Sequence, residues 1–289
     1  MTIVLATLGL GQNVEVNYTI FDGKGNPATF EQILQAASDA DVVFLGEYHD
    51  DAVGHAFQQK LFAATVDRFG AARRVTLSLE MFERDVQTVL DEYLTGKISE
   101  GHFLLSSRPW GNYKTDYRPL VELAKGKKLE VVAANAPRRY VNMVSRGGRA
   151  SLDSLSKEAK GWLAPLPYAE PSKAYADKFR ALMGSSGEAR MGLENILSSQ
   201  SLWDATMAYW IADSLKRNKR SLVVHLNGGF HTESRLGTVE HLAKYLPKAK
   251  SVVVTMRYVD DFKNFKSDDH TGIGDFVVLT DASQPRSKR

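Results

Sequence analysis

Short, uninterrupted apolar runs alternate along this chain with stretches of helical spacing, and that alternation restricts the fold more than any other feature. Residues 41–45 (DVVFL), 75–79 (VTLSL), 129–134 (LEVVAA), 222–226, 252–256 and 276–279 read as strands. Runs of this kind suit strands buried on both faces of a parallel sheet. Between them Val53, Phe57, Leu61, Ala64 and Phe69, and later Leu202, Ala205, Met207, Ala208, Ile211 and Leu215, recur at helical intervals. Strands alternating with helices imply an α/β fold: a mostly parallel central sheet flanked by helices.

The interruptions refine this picture. Alternation over 13–21, ended by Asp22, Gly23 and Gly25, predicts a first strand or hairpin arm. Thr29 followed by Gln32 has the form of a capping box opening a helix. A helix over 84–95 precedes a loop-rich stretch, 101–117, carrying Trp110, Tyr113 and Tyr117. From 140 to 198 no strand pattern appears, and glycines and prolines break the segment into short helices. Strand–helix alternation resumes after it, so the segment is an all-helical insertion or cap within a single domain spanning 1–289.

With 43% hydrophobic residues in 289, a large core is available. The 37 basic and 34 acidic residues leave only +3, and no basic run is long enough to track nucleic acid, so no nucleic-acid partner is expected. The absence of cysteine excludes disulfides, thiolate metal sites and a cysteine nucleophile. The opening stretch 1–11 is apolar but shorter than the roughly 20 residues that span a bilayer. It reads as the remnant of a trimmed signal peptide or as a frayed end, and the tail 286–289 as a solvated end. No transmembrane segment is expected, so any membrane link would run through an anchor in a native precursor.

Ligands of parallel α/β sheets bind beyond the carboxyl ends of the strands. There the first core strand gives Gly46, Glu47, Tyr48 and His49; the second gives Glu80; the third gives Asn135 and Arg138; the fourth gives Gly228, Gly229, Phe230 and His231. Two of these share the form Gly-x-x-His, where glycine would let the chain turn sharply and bring the histidine back over the sheet edge. Two imidazoles and two carboxylates could converge, suiting either metal binding or general acid–base work. Each has a plainer reading: Glu80 as a helix cap, Asp50, Asp51 and His55 as ordinary residues of a helix start, Asp204 as a buried partner for some backbone or arginine group. Arg138 and Arg139 could grip an anion or simply face solvent. Tyr48, Trp110, Tyr113 and Tyr117 could wall a flat ligand or fill the core. His225 reads as a core histidine, His241 and His270 as exposed.

Taken together, LGEYHD (45–50), His55, Gln58, LSLEMF (77–82), the 110–119 stretch, AANAPR (133–138), the 200–207 helix and NGGFHT (227–232) resemble the ChaN-like family of haem-binding proteins. That family is grouped with erythromycin esterases and the Tiki/TraB metallopeptidases. The resemblance implies haem binding linked to bacterial iron or haem acquisition, in the cell envelope, with a cytoplasmic location still open. It implies haem or a small anionic ligand as the partner, contacted by Tyr48, His49, His55, Arg138 and His231, and is compatible with a homodimer. The alternative it carries is a hydrolase, an esterase or peptidase, with Glu47, His49, Glu80 and His231 catalytic or holding a divalent metal. A lipobox cysteine, expected of the lipoprotein form, is missing.

Overall fold

The computed structural model describes residues 17–183 and 190–288. The expectations for 1–11 and for the first residues of the 13–21 strand lie outside them. Seven strands form one sheet in the order β1-β7-β6-β2-β5-β3-β4. They are β1 (Tyr18–Asp22), β2 (Val42–Glu47), β3 (Arg74–Glu83), β4 (Glu130–Asn135), β5 (Ser221–Gly228), β6 (Ser251–Val259) and β7 (Phe276–Asp281). Edge strand β1 pairs antiparallel with β7, and every other pairing is parallel.

Side-chain alternation along β2 shows why the sheet is apolar on both faces. Val43 and Leu45 join Leu61 and Phe62 of α2 (Ala52–Phe69) in one core, whereas Val42 and Phe44 join Ala208 and Ile211 of α9 (Arg190–Arg217) in another. The capping box is formed: Gln32 N donates to Thr29 Oγ1 at 3.2 Å and Thr29 N to Gln32 Oε1 at 2.8 Å, opening α1 (Phe30–Ser38).

The segment read as loop-rich is instead largely helical. Its helix α4 (Glu100–Ser107) is capped by Ser99, and a π-turn at Tyr113–Tyr117 leads into α5 (Arg118–Gly126). Phe103 stacks on Tyr93, of α3 (Gln87–Leu94), at 4.5 Å and meets Tyr113 at 5.8 Å, so aromatic burial organises the stretch. Strand β3 does not halt at Glu80 but continues to Glu83, because Met81 and Phe82 are themselves buried. His241 and His270, expected at the surface, are buried. His241 lies on the inward side of α10 (Thr238–Tyr245), beside Ser201 Oγ at 3.2 Å; His270, in α11 (Ser267–His270), packs on Phe265 at 5.4 Å.

The inserted segment carries α6 (Arg138–Gly147), α7 (Lys157–Lys160), α8 (Lys173–Met183) and the start of α9. Helix α9 runs 28 residues, well upstream of the expected start, because Leu197 packs with Tyr175 and Phe179 of α8. Strand β5 lies between β2 and β3, although it follows both in sequence by more than a hundred residues. That crossover brings the carboxyl ends of β2, β5 and β3 side by side.

Candidate functional site

Both Gly-x-x-His motifs are at that edge, but their glycines serve close approach and not a turn: neither Gly46 nor Gly228 has a positive φ. A Cβ on Gly46 would lie 3.0 Å from Gly229 Cα, and one on Gly228 would lie 2.8 Å from His49 Nε2. The glycine of the second motif is thus the space that the histidine of the first one occupies. Asp51 pins the start of α2, accepting from Gly54 N at 3.0 Å and from Thr280 Oγ1 at 2.6 Å. The short turn before it leaves Tyr48 exposed and His49 half-buried.

Each motif histidine is backed by a carboxylate. His49 Nδ1 lies 2.9 Å from Glu47 Oε1, and His231 Nδ1 lies 2.8 Å from Asp204 Oδ1. Carboxylates only accept, so each Nδ1 donates and each Nε2 is turned forward. Between the two Nε2 atoms stands Glu80 Oε1, 4.0 Å from His49 and 3.8 Å from His231. Glu80 is no helix cap: it lies within β3 and its Oε2 accepts from Gly228 N at 2.6 Å. Trp110 packs edge-on against His49 at 4.7 Å, and Trp203 against His231 at 6.3 Å.

Behind His49 lies a network whose members His55, Gln58 and the 110–119 stretch entered the family resemblance but whose connections the sequence patterns did not reveal. Glu47 Oε1 also accepts from Tyr117 Oη at 2.6 Å, and Oε2 accepts from Gln58 Nε2 at 2.7 Å. His55 is buried between two acids, its Nε2 3.4 Å from Glu47 Oε1 and its Nδ1 3.1 Å from Asp116 Oδ2. Burial works to neutralise His55, but these acids outweigh it and push its pKa up to about 9. Burial likewise opposes the charge on Glu47, yet hydrogen bonds from His49 and His55 hold it down at about 2. Asn112 ties the network to the motif, donating to Asp116 Oδ2 at 2.6 Å and to His49 O at 2.9 Å.

On the other side, burial disfavours charge on His231, but Asp204 and Glu80 overcome it and raise its pKa to about 9. Asp204 also accepts from Thr238 Oγ1 at 2.8 Å and is held below its ordinary pKa despite full burial, chiefly by the His231 charge. At neutral pH this half of the site therefore holds an imidazolium against an ionised carboxylate. The inserted helices touch the same loop: Lys178 of α8 donates to Phe230 O at 2.9 Å and lies 3.4 Å from Glu233.

Of the residues expected from sequence, the structure brings His49, Glu80 and His231 together, with Glu47 one layer behind. His55 is sealed beneath them, and Asn135 is buried at the end of β4. Arg138 is exposed at the first position of α6 and forms no ion pair among the described residues, whereas Arg139 pairs with Asp85 at 2.5 Å. Tyr113 and Tyr117 are core residues, not a ligand wall. Both oxygens of Glu47 are already hydrogen-bonded. Among the described residues, no group of three or more His, Asp or Glu side chains is arranged to hold a metal ion. Gln58, Asn112, Asp116 and Thr238 carry no sequence signal that a search of strand ends would find, because they lie on helices or turns and act through other side chains.

Residues 33–242 match the family described as haem-binding uptake, Tiki superfamily, ChaN. Among curated proteins no sequence matches. Among solved structures, ChaN of Campylobacter jejuni, described as binding haem cofacially, aligns with a TM-score of 0.72 at 20% identity, covering 92% of this chain and 98% of that one. This likeness establishes the fold. An erythromycin esterase in its open conformation aligns at 0.47 and 13% identity over 78% of this chain and 72% of that one. A Bacillus cereus protein aligns at 0.48 and 14% over 88% and 92%. At those scores neither bears on function.

Proposed function

The chain belongs to the ChaN family of haem-binding uptake proteins, and on that premise we propose that it binds haem at the carboxyl end of its sheet as part of bacterial haem or iron acquisition. The observation that carries the location is the pair Tyr48–His49. Tyr48 is 41% exposed and its hydroxyl makes no hydrogen bond among the described residues; beside it the His49 side chain is 28% exposed. Haem needs an axial phenolate or imidazole, apolar or aromatic surface, and a cation for its propionates. The residues present fit: Tyr48 or His49 as the axial donor, Trp110 as aromatic surface, and Arg138 as a cation with no ion pair among the described residues. His55, expected among the haem contacts, serves instead from beneath, by holding Glu47. When bound, haem would supply an iron centre; the chain's own part is to fix His49 through Glu47 and to surround the ring.

In this reading the helices over 140–198 cap the pocket within one domain, consistent with the contact of Lys178 with the His231 loop. A bacterial-envelope location belongs to the same proposal, through an anchor or as a free protein. No described helix is long and apolar enough to cross a membrane. Haemin titration of the apoprotein tests the proposal. A saturable Soret shift is expected, displaced in position by Tyr48→Phe or His49→Ala and unmoved by Glu80→Gln. No saturable shift, or spectra identical in wild type and in the double variant at Tyr48 and His49, would overturn it.

A second reading, hydrolysis, has one observation in its favour: Glu80 Oε1 within 4.0 Å of two Nε2 atoms whose rings are each oriented by an acid. Here His49 would be the general base, and protonated His231 would stabilise developing negative charge. The divalent metal admitted with this reading gains no support, since Glu47 has no free oxygen to offer. Turnover lost in Glu80→Gln is the expected result, and turnover retained there would remove Glu80 from the chemistry.

A further inference from the structure

At the opposite end of the sheet, where β2 and β5 begin, a cavity of about 450 Å³ opens between the last turn of α9 and the chain that follows α10. Its floor is aliphatic: Leu215, Leu246, Pro247 and Ala249, with no aromatic ring among the lining residues. Such a floor suits a flexible hydrocarbon chain better than a flat ring, which is held by stacking.

The polar groups of the lining divide into those already satisfied and those that are not. Ser221 Oγ donates to Asn218 O at 2.8 Å, and Asn218 Nδ2 reaches Glu130 at 3.3 Å. Asp41 accepts from Lys250 N at 2.8 Å. That leaves Lys216, Arg220 and Lys248, all exposed at the rim and none in an ion pair among the described residues. The negative end of a helix dipole accounts for Lys216, in the last turn of α9, but Arg220 and Lys248 lie outside helices. Cations left unneutralised around an apolar floor complement a ligand that is charged at one end only.

We propose that this cavity binds an anionic amphiphile, its acyl chain on the Leu215–Leu246–Ala249 floor and its carboxylate or phosphate held by Lys216, Arg220 and Lys248. The site is separate from the histidine cluster and does not depend on the haem reading.

Calorimetric titration with sodium dodecanoate below its micellar concentration tests it. Saturable binding to one site is expected, weakened at least tenfold by the paired charge reversal Lys216→Glu with Lys248→Glu and by Ala249→Trp, which fills the floor. Acetate, with charge but no chain, and dodecyl maltoside, with chain but no charge, should not compete. Absent binding, indifference to both variants, or equal competition by the maltoside would overturn the proposal, as would haemin binding that falls in the charge-reversed protein. Cosedimentation with phosphatidylglycerol vesicles but not phosphatidylcholine vesicles would support a membrane lipid as the source of the head group. Dodecanoate binding without cosedimentation would support a free acyl anion.

Discussion

The two histidine motifs start from the same four-residue spacing and end in different surroundings. On the β5 side the charge is on the motif histidine itself: His231, its side chain only 9% exposed, is paired with fully buried Asp204 and backed by the neutral donor Thr238. On the β2 side a second histidine, His55, carries the buried charge, and His49 is left at the lip with its acid already neutralised from behind. A shared motif therefore fixes where an imidazole stands, whereas the surrounding chain decides how deeply it is buried and what lies behind its acid.

The sharpest way to break the comparison is to remove the acid on the β5 side. Asp204→Ala strands a buried imidazolium and should cost about 3–5 kcal/mol of stability, read as a lowered urea midpoint; a cost below about 1 kcal/mol would mean that His231 is neutral. The pH dependence comes next. A histidine whose pKa rises from 6.5 to about 9 on folding stabilises the protein fully below about 6.5, and that contribution is lost as pH rises through about 9. For His231 the loss is on the order of 3 kcal/mol. His231→Gln and His55→Gln should each flatten part of the decline between pH 6.5 and 9, and a decline unchanged in both would contradict the assignment of charge.

Smaller effects separate the layers on the β2 side. Tyr117→Phe deletes a donor to an ionised, buried Glu47 and should cost about 2 kcal/mol, with His49 less firmly oriented. His49→Gln should change stability by less than about 1 kcal/mol while altering the haem spectrum. A large loss of stability there would put His49 in the same structural role as His231 and dissolve the contrast.

How much of this was legible in the sequence follows from how local each cause is. Strand β2 was read to within two residues, as 41–45 against Val42–Glu47, because its apolar run, the following glycine and the Asp51 cap are close together in sequence. Glu80 was read at a strand end but lies within β3, since the strand carries on through Met81 and Phe82 for the sake of packing contacts with distant aromatics. His241 was read as exposed because polarity alone suggests it, yet it faces inward with Val239 and Leu242 and meets Ser201. The stretch 101–117 looked like a loop because its order depends on Tyr93 and Phe82 elsewhere in the chain.

By itself, then, the sequence determined the α/β class, the succession of strands, and the positions of His49 and His231 just beyond strand ends, because apolar runs and the residues that stop them are properties of neighbouring positions. Only the tertiary structure decided that β5 inserts between β2 and β3, that Gly228 makes room for His49, that Asp204 and Glu80 hold the charge on His231, and that His55 and Tyr117 stand behind Glu47. Proton affinity depends on burial and on charges a few ångströms away, and the residues that supply them here stand up to about 150 positions along the chain from the group they act on, a distance no local pattern encodes.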